Sequence, residues 1–507
     1  MIFRPATEVD NPTEKNVFIE QTKVYVRLVE VFCEMNGLTI AEGNIEDFTE
    51  ECKLIGVVRS DSDIDALKAL LGKDYTRFFD TVCFARAHKE QISPRLDNLY
   101  NSARKQKQEE SLKVHNLTLV DFFCGAGGLS LGFIQEGFNV KLANDIEDVC
   151  IETYRYNHPE LPTSKLIQGD IKQIVDNIED YISDEIDVVV GGPPCQGFSE
   201  ANRQRIIDDP RNKLYKYFVE AVKRILPKIV VMENVKGMLK VANQVVEDYE
   251  RINVSKGGKE YTYTVSYKVL NSQDFSVAQS REILIYIAVR NDITEKTGVR
   301  PCDVFSLIEQ SCKGNKTYIL DDALADIKPL DAPRIKNTNE IDSDTTGKKI
   351  DANYDCSHEN EYLSLINEGR RVEYLFNHKA RYVNDINYEI YRRLNPGDDA
   401  TDEKIKDIMP YAHRNHCFKD KYYKLQGDRP CRTITAHLRM DCHSHIHPRQ
   451  IRALTPREAA RVQSFPDDYL FLGAYLKTYM QIGNAVPPMM ARGIARVIRS
   501  VLEGDSE

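Results

Sequence analysis

The sequence predicts an α/β protein, a doubly wound, mainly parallel sheet with helices on both faces. Two observations carry that expectation. From Leu117 onward, short β-branched runs alternate with stretches of helical spacing. The candidate chemical residues then recur just past the ends of successive apolar runs, the edge where open α/β sheets bind ligands. Residues 1–110 read as a mostly helical extension, and residues 291–424 as an inserted, irregular domain.

In the extension, Ile19 to Met35 and Ile64 to Leu71 have helical apolar spacing, and Asn44 to Glu51 reads as an acidic, solvated face. Arg86 to Lys113 turns basic, as a solvated linker or a stretch lying along a phosphate backbone. The first part of the α/β domain, 111–290, offers strands at Leu117–Phe123, Val140–Ala143, Leu166–Gln168, Asp187–Val190, Ile229–Met232, Tyr263–Leu270 and Ile283–Val289. Residues 291–424 lose this rhythm, and Ile341–Asp355 reads as a flexible loop. Regularity returns in 425–507. A helix from Leu454 to Ser464 has a Thr455/Glu458 capping box with Pro456 at its first position, and Met489–Leu502 closes the chain.

Composition narrows the class. The 507 residues are 42% hydrophobic and 29% charged, ordinary for a globular protein of several domains. No apolar run approaches the roughly 18 residues of a membrane span. The start, Met1-Ile2-Phe3-Arg4-Pro5, lacks a signal-peptide pattern, and the twelve cysteines have no framework spacing. Free thiols in the cytoplasm are expected. The net charge of −10 argues mildly against a nucleic-acid partner, but phosphate contacts need only a local basic surface.

Gly191-Gly192-Pro193-Pro194-Cys195-Gln196-Gly197-Phe198-Ser199 follows the run ending at Val190. Two glycines and two prolines stop the strand and stiffen the loop. The loop by itself leaves Cys195 open as a nucleophile or a buried structural thiol. Asp121-Phe122-Phe123-Cys124-Gly125-Ala126-Gly127-Gly128-Leu129-Ser130 joins the first strand to its helix. Ser130 replaces the third glycine of a dinucleotide fingerprint, so a carboxylate-bearing cofactor such as S-adenosylmethionine suits this turn as well as a phosphate. Asp145 and Asp170-Ile171 end the next two strands, placed for ribose hydroxyls and an adenine. Singly, each acid reads as a surface turn residue. Glu233, just past the fifth run, is a proton donor or a helix N-terminal charge.

These motifs resemble the DNA (cytosine-5)-methyltransferase family of bacterial restriction-modification type. The matching segments are Asp121–Gly128, Gly191–Ser199, Glu233–Val235, Gln279–Arg281 and Leu454–Pro488, the last holding Gln481-Ile482-Gly483-Asn484; Thr433-Ile434-Thr435-Ala436 matches a shorter motif. The resemblance spans 117–290 and 421–500, and implies the S-adenosylmethionine-dependent methyltransferase fold. It implies that Cys195 adds to C6 of a flipped-out cytosine in double-stranded DNA, that Glu233 holds the ring's N3 edge, and that Arg281 assists. Phe122, Gly125, Gly127, Asp145, Asp170, Ile171 and Asn484 are the implied S-adenosylmethionine contacts. Arg203, Arg205 and Arg211 match a mobile catalytic loop that meets phosphates, and Thr433 is a further implied DNA contact. Residues 291–424 take the place of target recognition, with Arg370, Arg371, Lys379, Arg381, Tyr374 and Tyr382 as candidates. The family needs no metal, and the spacings of His413, His416, Cys417, His437, Cys442, His443, His445 and His447 fit no standard zinc motif. A monomer is expected, with a cognate restriction endonuclease in the same system. One position departs from the pattern: Ile283 stands where the family has a second arginine. The alternatives are a tRNA cytosine-5 methyltransferase and a weak or inactive DNA-binding relative.

Overall fold

Strand β1 (Leu117–Phe122) lies inside an eight-stranded sheet of order β3-β2-β1-β4-β5-β8-β7-β6 in the computed structural model, which describes residues 3, 5–96, 117–194, 213–353, 360–410 and 421–504. The others are β2 (Phe138–Asp145), β3 (Leu166–Gln168), β4 (Val188–Gly191), β5 (Ile229–Asn234), β6 (Asn253–Lys256), β7 (Lys259–Asn271) and β8 (Glu282–Arg290). Strands β3, β2, β1, β4 and β5 run parallel, and β8, β7 and β6 are added antiparallel. The strand order reverses between β1 and β4, so their carboxyl ends open a crevice. Strand β6 was not foreseen. It is short and largely exposed, and turns into β7 through Gly257 and Gly258, both at positive φ.

Both sheet faces are covered, which is why β4 and β5 read as unbroken apolar runs. On one face Val188, Val231, Ile285 and Ile287 pack with Met490, Ile494 and Ile498 of the closing helix Pro488–Glu503. On the other, Val189, Val230 and Leu284 pack with Phe218 and Val222 of the helix Lys213–Ile225. The closing helix lies against the helix Gly128–Gln135. A Cβ on Gly132 would stand 2.4 Å from the Arg492 backbone nitrogen, so this approach requires glycine.

Residues 293–308 join the same core, since Ile293, Val304, Phe305 and Ile308 belong to the layer around the closing helix. The recognition region placed from 291 is therefore proposed to begin after the helix Pro301–Ser311. Beyond it lies an antiparallel pair, β9 (Gly347–Ala352) and β10 (Tyr374–Lys379). The flexible loop expected at 341–355 thus contains a strand, whose Ile350 and Ala352 are buried. The closing segment is pinned by buried ion pairs. Arg452 meets Glu458 at 2.7 Å and Arg461 meets Asp467 at 2.7 Å, and Glu458 also completes the predicted box with Thr455.

The extension is helical as expected, led by Pro12–Asn36, Ile45–Ile55, Ile64–Leu71 and Tyr75–Ala87. The first two are capped by Asn11 and Asn44 and stopped by left-handed Gly37 and Gly56. Asn44–Glu51 is not a solvated face, because Phe48 and Glu51 are buried. The bundle is joined to the rest: its apolar cluster includes Tyr156, Leu470 and Leu472, and Ile350, Ala352, Tyr374 and Phe376 of β9 and β10. None of the helices, among the described residues, is long and apolar enough to cross a membrane.

Candidate active site

The turn after β1 is built from left-handed backbone, with φ of +58° at Phe123, +53° at Gly125 and +89° at Gly127. A Cβ on Gly125 would meet nothing within 4 Å, so a ligand can approach the main chain there. Gly127 serves packing instead, since a Cβ would press on the Tyr469 hydroxyl at 2.8 Å and His158 Nε2 at 2.9 Å. Phe122 is wholly buried beneath the turn. Ser130 has a structural reason: its hydroxyl donates to the buried carboxylate of Asp121 and accepts from Tyr154 Oη at 2.9 Å. Burial pushes the Asp121 carboxyl up to about 7, and its Oδ1 has no partner among the described residues.

Asp145, at the end of β2, holds the turn from the side. Its Oδ2 accepts from Gly125 N at 2.9 Å and its Oδ1 from Glu147 N at 2.9 Å. Burial raises its carboxyl above the usual range even so. Asn144 Nδ2 ties the end of β3 to this edge, donating to Ile167 O at 2.9 Å and Gly169 O at 3.0 Å. Asp170 is exposed and caps the helix Ile171–Asp176 through Lys172 N at 2.9 Å. Ile171 is buried in the layer with Phe122 and Leu142. Ile146, directly after Asp145, is an exposed apolar side chain on this edge, 68% accessible, which sequence reasoning missed. An apolar residue directly after the strand-end acid was the available signal.

The third part of the edge lies at β4 and β5. Asn234 Nδ2 donates to Pro193 O at 3.0 Å and anchors the loop leading toward Cys195. A Cβ on Gly192 would stand 2.8 Å from Glu233 Oε2, so glycine lets this carboxylate lie against the loop. Burial raises the Glu233 carboxyl, and the opposing charge of Arg281 partly offsets that. Arg281 Nη1 donates to Ile434 O at 2.9 Å and Gly483 O at 3.0 Å, joining three distant motifs. Gln279 reinforces the joint, donating to Gln463 Oε1 at 2.7 Å and accepting from Ile434 N at 2.5 Å. Thr433 Oγ1 donates to Ser280 O at 3.2 Å. Asn484 ends the helix Tyr475–Asn484, and Ala485 and Val486 just past it pack on Gly128, so the closing segment folds back beside β1.

Cys195, Arg203, Arg205 and Arg211 lie outside the described residues, as do His413, His416 and Cys417. Three candidate DNA contacts are corrected. Tyr374 and Lys379 are buried, Lys379 pairing with Asp342 at 2.8 Å, and Arg381 donates to Leu438 O and Met440 O at 2.7 Å each. Arg370 pairs with Asp468. His443 stacks on Tyr422 at 4.4 Å and meets Tyr391 Oη at 2.7 Å, while His447 Nδ1 accepts from Arg449 N at 3.0 Å. Among the described residues no three His, Cys, Asp or Glu side chains gather as a metal site. Ile283 is 1% accessible, pairs with Leu270 of β7 and lies in the apolar layer that also holds Ile285, Phe275 and Met490.

The fold and its crevice define a class first, an α/β enzyme that binds its ligands at the carboxyl edge of the sheet. A solved E. coli structure named as a prophage-encoded DNA modification methyltransferase has the same fold, with a TM-score of 0.56 at 24% identity over 76% of this chain and 100% of that one. The family model for C-5 cytosine-specific DNA methylase matches residues 117–500. Type II methyltransferase M1.HphI of Haemophilus parahaemolyticus is 34% identical over 394 residues, 76% of this chain and 87% of that protein. Type II methyltransferase M.AgeI of Thalassovita gelatinovora is 29% identical over 435 residues, 75% of this chain and 98% of that protein. The chain belongs to the C-5 cytosine-specific DNA methylase family and is a DNA (cytosine-5)-methyltransferase.

Proposed function

We propose that the protein methylates C5 of a flipped-out cytosine at a specific sequence in double-stranded DNA, through a transient bond between Cys195 and C6. The observation that carries this reading is the meeting of the β1 turn, Asp145, Glu233 and Arg281 at one sheet edge, beside the loop that Asn234 anchors toward Cys195. S-adenosylmethionine supplies an electrophilic methyl group when bound. The residues fit it: Gly125 and Gly169 leave open space over their backbones, Asp145 offers carboxylate lone pairs to a ribose, and Ile146 offers an exposed apolar face to an adenine. Asn484 directly precedes Ala485 and Val486, which pack on Gly128 at the end of the same turn.

The chemistry then follows from the side chains. The target base leaves the stack at a cost of about a few kcal/mol. The Cys195 thiolate forms a bond to C6, and the ring's electrons move toward N3 and C5. Glu233, whose carboxyl burial keeps more readily protonated, donates a hydrogen bond to N3 and stabilises that charge. C5 takes the methyl group. Loss of the C5 proton then re-forms the ring double bond and expels the thiolate. Thr433 and the arginines at 203, 205 and 211 meet the DNA backbone in this reading, with a soluble cytoplasmic monomer serving beside a cognate nuclease.

Incubation with labelled S-adenosylmethionine and DNA or tRNA tests the substrate class, and label on tRNA alone would overturn the DNA reading. With 5-fluorocytosine in the DNA, C5 cannot lose a proton, and wild type should form an adduct that survives denaturation. Cys195→Ala should form none; an adduct persisting in that variant would place the nucleophile elsewhere. Bisulfite sequencing of DNA from a methylation-free host expressing the chain reports the recognised sequence.

A further inference from the structure

We propose that the N-terminal bundle, which lies outside the matched family region, is a positioning module that fixes the recognition region against the catalytic edge. The proposal rests on the DNA-methylase reading. Its first support is an apolar joint. Phe32, Val29 and other residues of the bundle share one apolar cluster with Ile350 and Ala352 of β9, Tyr374 and Phe376 of β10, and Leu470 and Leu472 of the closing segment. One face of the bundle therefore touches both the recognition region and the catalytic domain.

Polar contacts set the register of that joint. Arg27 Nε donates to Ile350 O at 3.1 Å, and Tyr374 Oη donates to Leu28 O at 3.3 Å. Lys349 on β9 pairs with Glu20 and reaches Gly473 O at 3.5 Å, so one side chain spans all three parts. Gln21 Nε2 donates to Glu152 Oε2 at 2.9 Å, on the helix that follows Asp145. A cavity of about 510 Å³ opens within the joint, lined by Glu20, Arg27, Lys349, Ile350 and Gly473. Of the cations that line it, Arg77 is matched by Glu30, Lys349 by Glu20 and Lys379 by Asp342, so they hold the seam together.

The joint continues physically to the catalytic edge. Tyr475 Oη donates to Lys379 O at the end of β10, at 3.0 Å. Arg381, two residues on, clamps Leu438 O and Met440 O, just past the Thr433–Ala436 motif. The helix that begins at Tyr475 ends at Gly483 and Asn484, and a Cβ on Gly483 would stand 2.1 Å from the Thr435 backbone. Arg281 bonds both Gly483 O and Ile434 O. Among the described residues, packed elements thus run from Leu28 through Tyr374, Lys379 and Tyr475 to Arg281. A bundle that only added stability would need no such register on β9 and β10.

Arg27→Met removes the guanidinium and keeps the aliphatic stem, and Tyr374→Phe removes one hydroxyl. Their double variant should raise KM for DNA by about fivefold, the size that a lost hydrogen bond commonly carries. Preference for the protein's own site over sites with one changed base pair should fall, while KM for S-adenosylmethionine stays unchanged. Amide exchange should quicken at 374–382 and 436–440 but not at 117–145. Val82→Ala, deep in the bundle and away from β9, should lower the melting temperature and leave these readouts alone. Unchanged DNA KM and site preference in the double variant, or an equal effect from Val82→Ala, would overturn the proposal. If wild type methylates no DNA, the reading of function fails separately, and the exchange pattern still decides whether the bundle positions β9 and β10.

Discussion

Arg281 Nη1 donates to Gly483 O at 3.0 Å across 202 residues of sequence, and in that contact the residue leading into β8 meets the segment carrying Asn484. The same nitrogen reaches Ile434 O, and the positive charge faces Glu233. Arg281 therefore assembles the cleft and tunes its acid together.

Arg281→Ala should lower kcat/KM about a hundredfold, since two charge-assisted hydrogen bonds of about 1.5 kcal/mol each are lost. Arg281→Lys should recover only part of the loss, because it keeps the charge but its shorter, flexible stem does not hold one nitrogen in the fixed plane from which Nη1 meets both carbonyls. Steady-state kinetics checks both, and a lysine variant of wild-type activity would show that only the charge matters.

The pH profile should identify Glu233. Burial raises its carboxyl, so the protonated, donating form persists to higher pH than for an ordinary glutamate. Single-turnover rate should fall as pH rises through that raised value. Glu233→Gln donates without titrating, so its profile should lack this limb, at a rate lower by about 10²- to 10⁴-fold. A limb that survives in Glu233→Gln belongs to another group.

Much of this edge was legible because local pattern fixes it. Apolar runs marked β1, β4, β5 and β8 to within a residue or two, and each acid or glycine motif stood at a strand end. What escaped depends on partners far away in sequence. The apolar face of Pro12–Asn36 signalled burial, but nothing local said that Ile350 and Tyr374 would cover it. Arg381 and Lys379 read as free cations because their acceptors, Leu438 O and Asp342, are brought in by the fold. Strand β6 is too polar and short to show an apolar period. The spacing of Val304, Phe305 and Ile308 was a helix signal within reach, and the irregular composition around it masked it.

Ile283→Arg should not improve the enzyme. The Ile283 side chain is 1% accessible, pairs with Leu270 across β7 and β8 and lies in the apolar layer that holds Ile285, Phe275 and Met490, and a guanidinium there adds like charge beside Arg281. Burying an unpaired charge costs about 3–5 kcal/mol, so the variant should melt several degrees lower with no gain in kcat. Calorimetry with turnover assays checks this. A stable, faster variant would show that the pocket retains space for the family's second arginine.

Asp121 gives stability a pH dependence of its own. Its carboxyl sits at about 7 when folded, against a usual value of 3.8. Between those values the folded state holds a proton that the unfolded chain has released. Stability relative to the ionised limit is therefore fully present below pH 3.8 and is lost as pH rises through about 7. Asp121→Asn keeps the shape and removes the titration. Across the same window wild type should lose on the order of a few kcal/mol relative to the variant. Urea unfolding of both proteins at a series of pH values measures the difference directly. Parallel curves would mean that Asp121 stays ionised, its charge held by the Ser130 hydroxyl.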